Sequence, residues 1–304
     1  MNATLTDHYP TRLLAPGPVV PRTHPTVWGG ADDGPLTAAE LAAFDGSGYH
    51  AEQALLGPEE VRALQAEARR LTADPALRGD ERTVVEEKSQ EVRSVFEVHR
   101  LSPAFARLAA DPRLAGRARQ LLGSEVYVHQ SRVNYKPGFG GGPFYWHSDF
   151  ETWHAEDGMP APRAVSVSLA LTENHPFNGS LMIIPGSHRS FVPCVGRTPP
   201  DHHLDSLRTH SVAVGMPEQE AVTALAEQAG GIEQFTGGPG SATFFDSNCM
   251  HGSNGNITPY PRSNVFLVFN SVDNTLTAPF GAPAPRPAHI ASRDFTPVAR
   301  DAER

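Results

Sequence analysis

The sequence predicts a mainly β fold, a sandwich or barrel with flanking helices, and three observations predict it. Glycine and proline are abundant, 27 and 28 among 304 residues, which argues for many turns. From residue 125 onward, short apolar runs rich in Val, Ile and Phe recur between Gly, Pro, Asn and Asp. Before that point the apolar residues recur at helical spacing instead.

Taken in order, residues 1–36 hold no sustained period and read as an irregular arm. Thr37-Ala38-Ala39-Glu40 has the form of a capping box opening a short helix. Pro58-Glu59-Glu60 starts a second helix, with Val61, Leu64, Ala68 and Leu71 on one stripe and its acids at the N-terminus, where the dipole favours them. Ser102-Pro103 and Asp111-Pro112 each pair a capping residue with Pro at the first helical position, and the second of these helices stops at Gly123. Residues 1–123 are therefore expected to be mostly helical and short of strands. Residues 125–135 and 164–171 alternate as strands, and 180–184, 241–245 and 264–270 are further strand candidates within a core spanning 124–277. An insertion at 196–240 carries one expected helix, from Pro217 to about Ala229. The Pro-rich tail, 278–304, has no core of its own. The whole is expected to form a single domain over 1–304.

Two strand faces are unusual. Gln130, Arg132 and Asn134 share one face because strand side chains alternate, and Ser166, Ser168 and Ala170 share another, opposite Val165, Val167, Leu169 and Leu171. Such faces either point to water or line a cavity inside a barrel.

Charge and composition exclude several classes. The formal charge of −9 disfavours a nucleic-acid partner. No apolar window is long enough for a transmembrane helix. The first residues, Met1 to His8, lack the basic and apolar regions of a secretory signal, so a cytoplasmic protein is expected. Cys194 and Cys249 then read as reduced thiols, with Cys249 a buried one, and two cysteines do not make a zinc finger.

The segment Phe144-Tyr145-Trp146-His147-Ser148-Asp149 carries the chemistry. His147 and Asp149, two apart, leave the same face of an extended chain and can take adjacent positions on one ion, with Trp146 directed away. His251 is the best third ligand. Two imidazoles and one carboxylate on one side of an octahedron leave open positions suited to a bidentate 2-oxoacid and O2, as in non-haem Fe(II) oxygenases. Arg262 can clamp the far carboxylate of such an acid, with Ser253 adding a hydroxyl. His-x-Asp alone says little in a chain with 14 histidines. A non-catalytic metal-binding barrel and a zinc hydrolase are the rivals at this point. His202-His203 reads as a solvated loop pair, and His154 as a residue orienting Trp153 or a neighbouring group.

His147-Ser148-Asp149, the run Asn178 to His188 (NGSLMIIPGSH) and the block Asp246 to Arg262 resemble the phytanoyl-CoA dioxygenase superfamily. The longer string Phe144 to Pro160 (FYWHSDFETWHAEDGMP) is similar to the signature of its ectoine-hydroxylating branch. The resemblance implies a double-stranded β-helix (a jelly-roll or cupin-like barrel), Fe(II) on His147, Asp149 and His251, and 2-oxoglutarate and O2 as cosubstrates. It places Asn134, Ser253 and Arg262 on 2-oxoglutarate, with Lys136 and Phe144 nearby. It places Gln130, Arg132, Thr152, Trp153, Ser168, Phe245 and Phe266 around ectoine, a cyclic zwitterion whose amidinium suits aromatic faces. The implied reaction yields 5-hydroxyectoine, succinate and CO2, and a homodimer is the family expectation. The same chemistry on proline or another small solute is the alternative; no basic run suits a CoA thioester.

Overall fold

Among the described residues thirteen strands assemble, all antiparallel, into a seven-stranded sheet, a four-stranded sheet and a two-stranded ribbon. The protein, known here from a computed structural model, is described over residues 6–86, 90–208 and 214–300. Met1 to Leu5, part of the segment examined for a leader, lie outside the described residues, as do 209–213 of the insertion. The strands are β1 (Val20–Pro21), β2 (Tyr49–Glu52), β3 (Thr83–Val85), β4 (Val92–Phe96), β5 (Val126–Lys136), β6 (Phe144–His147), β7 (Ala164–Ala170), β8 (Leu181–Ile183), β9 (Ser190–Phe191), β10 (Glu233–Phe235), β11 (Ala242–Asp246), β12 (His251–Ser253) and β13 (Arg262–Ser271). The large sheet runs β2-β11-β7-β13-β5-β4-β3, the smaller one β10-β8-β12-β6, and the ribbon pairs β1 with β9.

The helices form where their caps direct them. Thr37 and Glu40 exchange hydrogen bonds ahead of α1 (Ala38–Ser47). Pro58 opens α2 (Pro58–Ala73), which buries Val61, Leu64, Ala68 and Leu71 as its stripe requires. The short α3 (Pro75–Arg78) and α4 (Val98–Leu101) follow. The Ser102 hydroxyl accepts from the amides of Ala104 and Phe105 to start α5 (Pro103–Ala110). Asp111 caps a π-helical turn that runs into α6 (Arg117–Leu122), and Gly123, at φ 56°, supplies the left-handed residue that ends it.

One apolar core joins these helices to the large sheet. Leu64, Leu71, Phe105, Leu114 and Leu121 pack on Val165, Val167, Leu169, Val265 and Leu267. Each such buried side chain contributes about 1.5–3 kcal/mol of transfer free energy. The opposite face of the large sheet looks toward the small sheet, and the alternating polar positions of β5 and β7 lie there. That is what leaves room for a site.

Three sequence expectations change. The first 123 residues are not short of strands: β2, β3 and β4 lie there and extend the large sheet at both edges. These strands are only three to five residues long, too short to show the apolar alternation that betrays longer ones. The insertion holds two helices, α8 (His202–Arg208) and α9 (Gln219–Ala229), rather than one. Consequently His202 is not in a solvated loop; its Nδ1 lies 3.0 Å from a carboxylate oxygen of Glu156. The tail follows β5, where Ser292 N–H donates to His129 O and Val298 N–H to Val126 O, while Ile290 and Ala291 are buried in existing clusters. The N-terminal arm is irregular yet buries Tyr9 and the Arg12 side chain. No helix among the described residues is long and apolar enough to cross a membrane.

Candidate metal centre

The register of the small sheet sets the two histidines side by side: β12 pairs with β6 so that His251 faces His147. Their rings lie 4.2 Å apart. Asp149 reaches the same point differently from expectation. It is not on an extended chain but opens α7 (Asp149–Thr152), after Ser148 in extended conformation has capped that turn by accepting from Glu151 N–H. The Phe150 amide donates to Ser247 O and fixes the turn against the loop before β12. The strand-to-helix switch, rather than strand alternation, brings the carboxylate round.

His147 Nε2 is 3.7 Å from Asp149 Oδ1, His251 Nε2 is 3.9 Å from Asp149 Oδ2, and ligand atoms of all three residues lie within 4.8 Å of one another. Donors bound at about 2.1 Å to one ion at right angles sit about 3 Å apart, so small adjustments close the site on a metal. Each imidazole is set for ligation through Nε2. His147 Nδ1–H donates to Tyr145 O at 2.7 Å, and His251 Nδ1–H donates to Cys249 O at 3.0 Å. Burial pushes His251 down to about 4, helped by His147, which keeps it neutral and able to ligate. Burial would raise the Asp149 carboxyl, but the pull of His251, His147 and Arg132 leaves it well below the usual carboxylate range. Ser166 donates to Asp149 Oδ2 at 3.0 Å and holds the second oxygen. That serine lay on the small polar face of β7 in the sequence, but nothing there marked it as a partner of the acid.

Two cavities meet at this centre. The inner one is lined by His147, His251, Asn134, Lys136, Phe144, Ser253 and Arg262, with Phe266 and Arg132 completing it. Lys136 Nζ donates to Ser253 Oγ at 2.8 Å and to Asn254 O at 2.5 Å, whereas Arg262 donates to Gly179 O and Asn174 Oδ1. Neither side chain is hydrogen-bonded to a carboxylate among the described residues. Burial, with Arg262 and Arg93 close by, pushes Lys136 down to about 6, and burial pushes Arg262 down to about 10. A buried pocket that pairs a guanidinium with an amine able to take up a proton when a carboxylate enters is complementary to a dicarboxylate.

The outer cavity, of about 160 Å³, is lined by Gln130, Arg132, Thr152 and Trp153 beside His147 and Asp149. Arg132 Nε is buried without a hydrogen-bond partner among the described residues, and its guanidinium lies over the Phe266 ring at 5.2 Å. The wall also contains Arg12, Glu156 and Arg286, contributed by the N-terminal arm, the π-helical turn Trp153–Asp157 and the tail. Sequence reasoning missed these three, because their partners are distant in the chain. Arg12 bridges Glu151 and Glu156, and Arg286 pairs with Asp157 at 2.5 Å.

Three of the residues expected around the organic substrate do not line the outer cavity. Ser168 accepts from Asn264 Nδ2 and lines a separate small cavity toward β2 and β11. Phe245 is fully buried, packs 4.9 Å from the His251 ring and lines neither cavity, so it braces a ligand instead. Phe266, paired across from Arg132, faces the inner cavity. His154 is buried with Nδ1–H donating to Met159 O and its ring stacked on Phe280 at 4.1 Å; it ties the π-turn to the tail. Trp146 packs against the cluster of Ile184, Val192 and Met250, as its alternation predicts. Cys194 and Cys249 are free and buried.

This geometry defines a dioxygenase-type centre, and the family model for phytanoyl-CoA dioxygenase matches residues 44–264. The chain belongs to that family. Within it, the chain is 60% identical over 292 residues to an ectoine dioxygenase of Nocardia farcinica, covering 96% of this chain and 95% of the relative. It also superposes on crystal structures of EctD from S. alaskensis. The form with 2-oxoglutarate and 5-hydroxyectoine gives a TM-score of 0.87 at 49% identity, covering 97% of this chain and 98% of that one. The form with bound Fe gives 0.86 at 48%, with the same coverage.

Proposed function

We infer that this protein hydroxylates ectoine to 5-hydroxyectoine with 2-oxoglutarate as cosubstrate, consuming O2 and releasing succinate and CO2. The observation that carries this is the position of the three ligand residues at the junction of two cavities of different chemistry: one matched to a dicarboxylate, one to a small zwitterion. The facing antiparallel sheets are read as a double-stranded β-helix, and residues 1–304 as one domain. A cytoplasmic homodimer completes the reading.

Fe(II) held by His147, Asp149 and His251 would supply the O2-activating chemistry. The residues of this chain do the rest. Arg262 and Lys136 bind the distal carboxylate of 2-oxoglutarate, with Ser253 and Asn134 adding hydrogen-bonding groups and Phe144 closing the side toward the outer cavity. Arg132, with its free Nε–H, and Thr152 bind the ectoine carboxylate. The Trp153 indole offers its π face to the amidinium, worth about 1–2 kcal/mol in a dry site. Gln130 donates to the backbone of Ile290, so it fixes the tail over the pocket while facing the substrate. Together these groups hold one ring carbon toward the open side of the metal and keep water out. Phe245, Phe266 and Ser168 act on this arrangement through their neighbours.

The test is a mixed pool of ectoine, proline and related solutes supplied with Fe(II), 2-oxoglutarate and air, read by mass spectrometry. A single product 16 Da above ectoine, with succinate in equal amount, is expected. Preferential hydroxylation of proline or another solute would move the substrate assignment. Succinate formation without any hydroxylated solute would leave only the cosubstrate half.

A further inference from the structure

A third cavity, of about 530 Å³, lies behind the inner one, between α2, α3, the start of β4 and the ends of β5 and β13. It shares Tyr135, Lys136 and Arg262 with the inner cavity as a common wall and contains no metal ligand. Among the described residues its lining carries three arginines, Arg69, Arg78 and Arg262, together with the Lys136 amine, against one carboxylate, Glu91. Arg78 donates to the carbonyl of Gln90. The Ser263 hydroxyl, buried at this wall, has no hydrogen-bond partner among the described residues. On a chain with net charge −9, such a local excess of positive charge is an electrostatic funnel for an anion.

We propose that this rear cavity is an entry and exit route for short dicarboxylates, 2-oxoglutarate inward and succinate outward, separate from the opening used by ectoine. The inference rests on the function proposed above and adds a path to it. In the outer cavity, bound ectoine or its product stands between the metal and the front opening, so a dicarboxylate in the inner cavity would be trapped behind it. The side chains of Lys136, Tyr135 and Arg262 stand between that position and the rear cavity. Lys136 is the movable part of the wall. Its long stem passes beside Gly141 and Gly179, where any Cβ would stand 2.3 Å from Lys136 Cγ or 2.7 Å from its Cδ, and Gly179 holds φ 79°. Its ammonium is held by a hydroxyl and a carbonyl rather than by a carboxylate, so an arriving carboxylate can displace both contacts. Arg69 and Arg78 collect the anion at the mouth, Ser263 offers a donor within, and Lys136 hands it to Arg262.

The experiment is anaerobic stopped-flow mixing of the Fe(II)-loaded protein with 2-oxoglutarate, following the visible band of the complex, with and without saturating ectoine. Two variants outside the binding machinery are compared with the wild type: Arg69→Glu combined with Arg78→Glu, and Thr72→Trp, which fills the cavity from α2. The charge reversal is expected to slow association about tenfold and to flatten its dependence on salt. Thr72→Trp is expected to slow association and dissociation together, by about fivefold or more, while the equilibrium affinity stays within about twofold, as a blocked path requires. In the wild type, saturating ectoine should leave association essentially unchanged. Unchanged association in the charge-reversed protein, or association abolished by ectoine, would overturn the route. The two arginines are exposed, so that variant carries the test even if Thr72→Trp does not fold. A wild type that binds no 2-oxoglutarate at all would instead overturn the function on which the route depends.

Discussion

The inner cavity places Lys136 and Arg262 together without an acid, and this has measurable consequences at the scale of single residues. Arg262 holds its place through Gly179 O and Asn174 Oδ1, so removing the side chain deletes the charged anchor while its neighbours stay packed. Arg262→Ala should raise the KM for 2-oxoglutarate about 10- to 100-fold, the worth of a charge-assisted bond, with a smaller effect on the KM for ectoine. Steady-state kinetics in each substrate separate the two. Lys136 predicts a proton linkage. Arg262 and Arg93 oppose its charge, Glu86 favours it, and burial dominates, giving about 6 in the free protein. Above that value it is largely neutral. An entering dicarboxylate favours the ammonium, so at about pH 8 binding should take up a proton, and well below pH 6 it should not. Calorimetry in buffers of different ionisation enthalpy reads this directly: the apparent enthalpy should vary with the buffer at the higher pH only. Lys136→Met should abolish that variation.

The π-helical turn Trp153–Asp157 shows how one element is held by segments that look dispensable in the sequence. Its buried acids meet partners from three other parts of the chain: Arg12 on the arm, His202 on α8 and Arg286 on the tail. Trp153, whose ring meets that of His129 at 4.9 Å, is thereby fixed at the wall of the outer cavity. Arg12→Ala would leave Glu151 and Glu156 buried beside an empty space. We expect a loss of about 3–5 kcal/mol in urea unfolding, the cost of breaking a buried pair from one side, whereas an exposed pair such as Arg62–Glu59 should cost under about 1 kcal/mol. The sequence made α1, α2, α5 and α6 legible because each carries its own cap and stripe. It made β5 and β7 legible because they are long and alternate. The π-turn was not legible as an element, since Trp153-His154-Ala155-Glu156-Asp157 has no period, and its supporting cations are matched to it only in space. The same reason hid β2 to β4, whose identity as strands comes from pairing with longer neighbours.

Across the whole molecule, helices cover one face of the large sheet and the small sheet closes the other, so the polar faces of β5 and β7 look inward rather than to water. That choice was open in the sequence: alternation identifies two faces and does not say which is covered. The metal ligands were legible as residue types and as a string, although the carboxylate arrives through a helical turn instead of a strand. The residues expected around the substrate divide between the cavities. Gln130, Arg132, Thr152 and Trp153 line the outer cavity, but Ser168 lines a separate one, and Arg286 enters from a tail that carries no signal of its own. The charge of −9 also acts at this scale, because a doubly negative cosubstrate must be drawn to a local cluster of cations against the field of the whole chain.

The most direct test of the account is an anaerobic titration of the metal-free protein with Fe(II) and then 2-oxoglutarate, followed in the visible range and by metal analysis after desalting. One equivalent of iron and a charge-transfer band on adding 2-oxoglutarate are expected, with both lost in Asp149→Ala. Iron retention and an undiminished band in Asp149→Ala would contradict a centre built by two imidazoles and this carboxylate.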